Sequence, residues 1–515
     1  MTPDELQKFE LALAQPCMAI TARGLRIDEE RRLAMIAVLE AEIQPLHDDL
    51  QGIVLPLVAE NEAKLKKLKK WHLFVEKWCC SCCRGGVKKA AACWSCAGFE
   101  KSPTKKELSE RACWILENLS HATAQTILSP CRKCGGQGKG SKLLYKPSSI
   151  EQTKIVLYDL CRLPKRMLKK KLTVEEDKLK TLVAFDKRGI VTRLLKITKH
   201  ATIVSILERM KPGPDGRLRT FLNPAGTETG RFSSAGGFLE PASTNLQNLP
   251  KREAAKDPKY DVRRCIVPDE GCVLCEADLS QAESRVTAYL ADDEPLIRRW
   301  EHPNFDIHRW MASIAFEKEM SKVTKKERNY IGKTIAHAVD KGTSAKTFMQ
   351  SINSESDLTD FTITLAFAER AFANIHRARP ALKRWWRQVD QQLKTVGSIT
   401  TCWGRKRTFF GRRQGDGWLD HTHKEGLAHD AQSTVADVLN KGLLAFWDRF
   451  DGRLGTILLQ IHDAVLIQTE TPKRAMAAQA LKSCLTIPMK IGERELTIPV
   501  DVSWSARSWG EMAEL

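Results

Sequence analysis

No run of about eighteen consecutive apolar residues occurs in this 515-residue sequence, which leaves no candidate for a membrane-spanning helix. No N-terminal stretch joins a basic start to an apolar segment, so nothing reads as a secretory signal. Both absences point to the cytosol and away from a membrane. There is no internal repeat either. The length admits two to four packed units, with core enough to dispense with disulfides.

What the sequence has in excess is positive charge, 82 Lys and Arg against 63 Asp and Glu, for a formal net charge of +19. An excess spread along most of the chain suits a partner that is a dense polyanion, nucleic acid first. Nine of the 16 cysteines lie between Cys79 and Cys134, and in a reducing compartment such clustering points to metal rather than to disulfides. Cys80-x-x-Cys83, Cys93-x-x-Cys96 and Cys131-x-x-Cys134 supply three chelating half-sites, with Cys79, Cys82 and Cys113 in reserve. Four thiolates would satisfy one structural Zn²⁺, and which four stays open. Cys272-x-x-Cys275 has the same spacing but falls in a predicted buried strand and reads as core packing.

Gly24-Leu25-Arg26-Ile27-Asp28 reads as a turn and a helix N-cap, and the spacing of Leu33, Ile36, Leu39 and Ile43 predicts a helix from Glu29 to about Ile43 with acids in its first turn. Lys and Leu dominate from Ala63 to Lys70, and the cysteine-rich stretch that follows, ending in a Gly-rich segment at Gly138, reads as an inserted module. From Pro147 to about Leu222 the pattern is helical and strongly basic, broken at Leu163-Pro164 and Lys211-Pro212-Gly213-Pro214, and suits a phosphate-backbone groove. The remainder alternates short β-rich runs with long helical stretches, which predicts a mixed α+β core.

Two acids stand at rigid places in that core. Cys272 to Asp278 is an apolar strand ending in a carboxylate, followed by a helix opening near Ala282. Leu458 to Ile461 and Ala464 to Ile467 are two apolar strands joined by a tight His462-Asp463 turn. A carboxylate held on a strand end is rigid enough to coordinate metal, although either acid alone reads equally well as a turn or cap residue. Between them, Asn329, Lys333 and His337 recur at i, i+4 and i+8, a polar and basic stripe on one helix face that suits a triphosphate.

Several blocks, in this order over about Gly24 to Leu515 apart from the cysteine-rich insert, resemble family A DNA polymerases, the polymerase I-like group. Thr229-Gly230-Arg231-Phe232-Ser233-Ser234 and Asn245-Leu246-Gln247-Asn248-Leu249-Pro250 are similar to the stretch that contacts template and primer in the minor groove. Asp278-Leu279-Ser280-Gln281-Ala282-Glu283 and Gln460-Ile461-His462-Asp463 resemble the two metal motifs, and Asp306-Ile307-His308 and Arg328 to His337 resemble the nucleotide-binding motifs. Gly404-Arg405-Lys406-Arg407 and Gln432 fit the intervening segments.

The resemblance implies a right-hand α+β fold of palm, fingers and thumb, with the cysteine-rich zinc-binding insert in the thumb. It implies template-directed addition of deoxyribonucleotides to a primer, with Asp278 and Asp463 holding two Mg²⁺ ions about 4 Å apart. Lys333 and Arg328 would meet the triphosphate, His308 a phosphate oxygen and His337 the incoming base, with Gln281 beside them. Glu283 would fill the space a ribose 2′-hydroxyl needs. Arg231, Asn245, Gln247, Asn248, Arg405, Gln432 and His462 would hold primer-template DNA, reading acceptors common to all correct pairs. The expected boundaries are 1–62 for an N-terminal segment and first thumb helix, 63–146 for the insert, 147–250 for the thumb, 251–295 for the palm with the first metal motif, 296–400 for the fingers, and 401–515 for the palm with the second.

Three departures from the family pattern stand out. Asn329 takes the place of an arginine four residues before Lys333, and Arg328 lies one step earlier. Either the helix begins irregularly and Arg328 still reaches the phosphates, which is the preferred reading, or that contact is lost. Lys341-Gly342 replaces a Tyr-Gly, and Ala464 replaces an acid after Asp463. The thumb-like motif starts close to Met1, so the expectation is a monomeric polymerase without a 3′-5′ exonuclease domain, assisted by a separate exonuclease or processivity factor and compatible with a viral genome. The alternatives are a single-subunit RNA polymerase, which would not be expected to keep Glu283, and a catalytically idle zinc-containing DNA-binding replication protein.

Overall fold

The computed structural model describes residues 1–79, 139–168, 170–236, 244–247, 249–250, 257–302, 304–354, 361–419 and 421–514. The zinc candidates Cys80, Cys83, Cys93, Cys96, Cys131 and Cys134, and the DNA-binding candidate Asn248, lie outside the described residues. The main helices are α1 (Pro3–Arg23), α2 (Glu29–Glu60), α3 (Ile190–Arg209), α4 (Ala282–Leu290), α5 (Ile307–Phe316), α6 (Lys333–Asp340), α7 (Leu365–Ala378), α8 (Pro380–Thr395), α9 (Thr422–Phe450) and α10 (Arg474–Leu485). The main strands are β1 (Cys272–Leu279), β2 (Thr456–Ile461), β3 (Ala464–Glu470), β4 (Val500–Ser505) and β5 (Ala513–Glu514). Among the described residues no helix is long and apolar enough to cross a membrane.

The chain divides into two units, Met1–Glu40 with Ala201–Leu515, and Ala41–His200. The larger unit is built on an antiparallel sheet of order β2-β3-β1-β4-β5, with β1 in the middle. Val273, Cys275, Ala277 and Leu279 of β1 turn to one face and meet Val435, Leu439 and Phe446 of α9 and Leu481 of α10, with Leu13, Cys17 and Ile20 of α1 joining the same core. Of the Cys272-x-x-Cys275 pair read as core packing, Cys275 lies in this core and Cys272 is half-buried outside it. Thr2 caps α1, accepting from Glu5 N while the Glu5 carboxylate accepts from Thr2 N. A second core in this unit is helical, with Ile307 and Met311 of α5, Ile335 and Val339 of α6, Phe372 and Ile375 of α7, and Leu382 and Trp385 of α8. This mixture is the α+β class expected from the alternation of short strand-like runs and long helices.

In the smaller unit Leu50, Val54 and Val58 pack with Ile155, Leu182, Ile190 and Leu194 around the fully buried Tyr145, whose hydroxyl meets Thr153 Oγ1 at 2.9 Å. The helix predicted to end near Ile43 runs to Glu60 through Pro45 and Pro56. Each proline forfeits one helix hydrogen bond. The four-residue spacing of Leu50, Val54 and Val58 gives the extra turns a buried face that outweighs the loss. Between Pro147 and Leu222 the helical expectation holds for α3, but Met167–Leu168 pairs with Lys171–Leu172 just after the Leu163-Pro164 break.

Candidate active site

Two strand ends bring the acids together. Asp278 lies at the end of β1 opposite Ala464 of β3 and Asp501 of β4. The Leu279 N–H donates to the Asp463 carbonyl at 3.0 Å, so the turn carrying Asp463 is fastened to the strand carrying Asp278. That turn is two residues long, with His462 exposed in the left-handed region at φ 52°. Gln247 braces it: its Nε2 donates to the Gln460 carbonyl at 2.6 Å and its Oε1 accepts from His462 N at 3.2 Å. Asn245 Oδ1 in turn accepts from Gln247 N and from Ser234 Oγ.

Charge around the acids is balanced by cations from elsewhere in the same unit. Arg231 Nη2 donates to Glu283 Oε1 at 2.6 Å and to Asp463 Oδ1 at 3.1 Å. Lys341 Nζ lies 2.8 Å from Glu283 Oε2. Burial pushes the Asp463 carboxyl up, against the pull of Arg231. Burial would also raise the Glu283 carboxyl, but Lys341 and Arg231 beside it bring it down to about 2. The Asp278 and Asp463 donors are hard oxygens on rigid backbone, the donor type that Mg²⁺ takes, and a guanidinium sits on Asp463, while among the described residues no cluster of three or more His, Cys, Asp or Glu side chains that could hold a metal ion is present.

Arg231 is itself positioned by its neighbour. Gly230 has φ 75°, and a Cβ there would stand 2.6 Å from Arg405 Cζ, so glycine lets the buried Arg405 lie against the chain. Arg405 pairs with Asp437 of α9 at 2.8 Å and Glu10 of α1 at 2.6 Å, and Asn440 Nδ2 holds the Gly230 carbonyl at 2.9 Å. As placed, Arg405 grips protein carboxylates around the Arg231 loop. Gln432 lies half-buried on α9.

The second half of the site is joined to the first within the first metal motif itself. Gln281, at φ 53°, accepts from Ile307 N through its Oε1 at 3.1 Å and so ties the β1–α4 turn to the start of α5. Asp306 caps α5, accepting from His308 N and Arg309 N, and its other oxygen accepts from Arg328 Nε at 2.7 Å. Residues Glu327–Gly332 form a π-helical turn that runs directly into α6. Hydrogen bonds there reach five residues back instead of four, which absorbs one residue. Arg328 thereby takes the place relative to Lys333 that ordinary helical spacing assigns to Asn329, and the irregular start preferred from the sequence is found. Asn329 instead accepts from Arg328 Nη1 at 2.8 Å. Gly332 makes the arrangement close, since a Cβ there would stand 1.9 Å from the His308 carbonyl oxygen.

Lys333 is exposed at the first residue of α6 and has no ion-pair partner among the described residues. His308 and His337 face each other with ring centroids 6.1 Å apart. Burial, and then Arg328 alongside, push the His308 imidazole down to about 3, and burial lowers His337 as well. Both rings are therefore neutral near pH 7. Among the described residues, Arg231 Nε, His308 Nδ1 and Gln460 Oε1 are buried without a hydrogen-bond partner, and Glu283 Oε2 meets Lys341 Nζ in an ion pair. Buried polar atoms are seldom left so.

The structure thus gathers Asp278, Asp463, Glu283, Arg231, Gln247 and His462 on one side and Gln281, His308, Arg328, Lys333 and His337 on the other. Three groups were given no supporting role from the sequence. Asp306 positions Arg328, Asp437 holds Arg405, and Lys341, noted only as a departure, reaches Glu283. A motif shows its own residues but not their distant partners.

The sequence model of the family described as DNA polymerase family A matches residues 139–511. DNA polymerase I of Chloroflexus aurantiacus is 28% identical over 324 residues, 62% of this chain and 32% of that protein. The thermostable DNA polymerase I of Thermus aquaticus is 26% identical over 363 residues, 69% of this chain and 40% of that protein. The chain thus matches a third to two fifths of the length of these curated relatives. Among solved structures, the POL domain of Pol1 from M. smegmatis in complex with DNA primer-template and dNTP has the same fold, with a TM-score of 0.68 at 19% identity over 97% of this chain and 70% of that one. These relatives are bacterial and lend no support to a viral source.

Proposed function

The chain belongs to DNA polymerase family A, and on that premise we infer that it adds deoxyribonucleotides to a primer 3′ end under the direction of a template. The observation that carries the reading is the fastening of the Asp463 turn to the strand end that bears Asp278, opposite a helix presenting Arg328, Lys333 and His337. Asp278 and Asp463 would hold two Mg²⁺ ions, which when bound make the primer hydroxyl nucleophilic and neutralise the leaving pyrophosphate. Lys333 and Arg328 meet the triphosphate, with Arg328 aimed by Asp306. Neutral His308 offers its unpartnered Nδ1 to a phosphate oxygen, and His337 stacks on the incoming base. Glu283 closes the space beside C2′ of the sugar. Arg231, Asn245, Gln247, Asn248, Gln432 and His462 follow the minor groove of primer and template, while Arg405 serves by holding the Arg231 loop.

In this reading the sheet and α9 are the palm, residues 296–400 the fingers, and 147–250, with α2 as the first thumb helix, the thumb. The three CxxC pairs between Cys80 and Cys134 keep their reading as a structural zinc site on the strength of spacing, and stoichiometric metal in anaerobically purified protein checks it. Primer extension tests the whole. With template, Mg²⁺ and four deoxyribonucleotides the primer grows, and omitting the complementary nucleotide stops it. De novo synthesis from ribonucleotides would favour the RNA polymerase alternative, and DNA binding without extension the catalytically idle one.

A further inference from the structure

Glu283 is held from both sides, by Arg231 on Oε1 at 2.6 Å and by Lys341 on Oε2 at 2.8 Å. The two cations are not equivalent. Arg231 also reaches Asp463 and lies among the residues assigned above to the minor groove of primer and template, so its guanidinium is shared between partners. Lys341 has Glu283 as its ion-pair partner and is rooted in a rigid frame. It is the C-cap of α6, which ends in a Schellman motif: Thr343 N donates to Ala338 O at 2.8 Å and Gly342 N to Val339 O at 3.2 Å, with Gly342 at φ 64°.

The residue before it is fixed as firmly. Asp340 accepts from Ser284 Oγ at 2.8 Å and from Arg379 Nη1 at 2.7 Å, and Arg379 is wholly buried, with Asp293 on its Nε at 2.8 Å. Consecutive residues at the end of α6, Asp340 and Lys341, therefore grip consecutive residues in the first turn of α4, Ser284 and Glu283. The first grip sets where the Lys341 backbone stands. The second sets where the Glu283 carboxylate stands.

From this geometry we propose that Lys341 determines sugar selectivity, as a positioning residue whose ammonium pins the Glu283 carboxylate beside C2′ of the incoming nucleotide. The inference rests on the reading of Glu283 as the group that excludes a ribose hydroxyl. When primer and template draw Arg231 to the minor groove, Lys341 is the cation that remains on the carboxylate. Lys341 Nζ stands 2.8 Å from Glu283 Oε2, within reach of a charge-assisted contact. With the Lys341 ammonium removed, the carboxylate is released to turn and accept a hydrogen bond from a 2′-hydroxyl.

The test compares single-nucleotide incorporation of matched ribo- and deoxyribonucleotides, with Mg²⁺ and primer-template, by the wild type, Lys341→Met, Lys341→Arg, Glu283→Ala and the Lys341→Met, Glu283→Ala double variant. Lys341→Met lowers discrimination about tenfold, the scale of one charge-assisted contact, through faster ribonucleotide use, with deoxyribonucleotide incorporation within about threefold of wild type. Lys341→Arg restores most of the discrimination. In the Glu283→Ala background Lys341→Met changes it no further. Wild-type discrimination in Lys341→Met, alongside relaxed discrimination in Glu283→Ala, overturns the role of Lys341 and leaves the gate standing. Wild-type discrimination in Glu283→Ala removes the gate and this inference with it.

Discussion

Replacing Gly332 by alanine perturbs the nucleotide-binding side of the site by a known amount. The added methyl would stand 1.9 Å from the His308 carbonyl oxygen and 2.9 Å from its carbonyl carbon, with Ala312 Cβ at 3.1 Å. The first two are backbone atoms of α5 and cannot swing aside as a side-chain tip would, so the π-helical turn and α5 must part by about 1 Å or more. Overpacking of this kind costs about 1–3 kcal/mol, within the 5–15 kcal/mol or so that holds a typical domain together, so Gly332→Ala remains folded. The displacement falls between His308 on one side and Arg328 and Lys333 on the other. A misplacement of about 1 Å among groups that orient reactants slows a reaction about a hundredfold. Single-turnover incorporation across a nucleotide concentration series should therefore fall by about that factor, while primer-template affinity, read by fluorescence anisotropy, stays within about twofold. Wild-type incorporation by a folded Gly332→Ala protein would refute the claim that this close approach aligns the triphosphate-binding groups.

Two further outcomes follow from the same structure. Arg379→Met leaves Asp293 and Asp340 buried without their cation, and should lower stability by about 3–5 kcal/mol in denaturant titration; a loss under about 1 kcal/mol would contradict the buried triad. Burial first, with nearby cations adding to it, depresses His308 to about 3 and His376 and His429 to about 4, so below the unfolded value near 6.5 the unfolded chain binds more protons. Their contribution to stability is complete above about pH 6.5 and is lost as pH falls toward 4, so thermal midpoints should drop across that window, and a flat profile would count against neutral buried rings.

Local pattern carried the sheet and failed at the supports. The apolar runs on either side of His462-Asp463 are short, strongly β-forming and joined by two residues, so a hairpin was legible, and so was the strand ending at Asp278. Resemblance to a family then supplied the pairing of the two acids, which no local spacing contains. Arg405 reads from its motif as a DNA contact, but its partners Glu10 and Asp437 lie 395 and 32 residues away, and only the folded chain brings them to it. Arg328 reads as out of register because helical spacing assumes four-residue hydrogen bonding, and the π turn at Glu327–Gly332 breaks that assumption. Lys341 is visible in the sequence merely as an exchanged residue. Its meaning depends on where the end of α6 meets the start of α4, which is set by the burial of Arg379 and its two carboxylates.

The central claim is that Asp278 and Asp463 together carry the chemistry of nucleotide addition. Single-turnover primer extension with saturating DNA, nucleotide and Mg²⁺ tests it in Asp278→Asn and Asp463→Asn, with primer-template affinity measured on the same proteins. The account predicts that either substitution lowers the incorporation rate by at least about a thousandfold while DNA affinity changes by less than about threefold, because metal-held charge is needed in the transition state rather than for binding the duplex. Incorporation within about tenfold of wild type by either variant would contradict the assignment of the two acids.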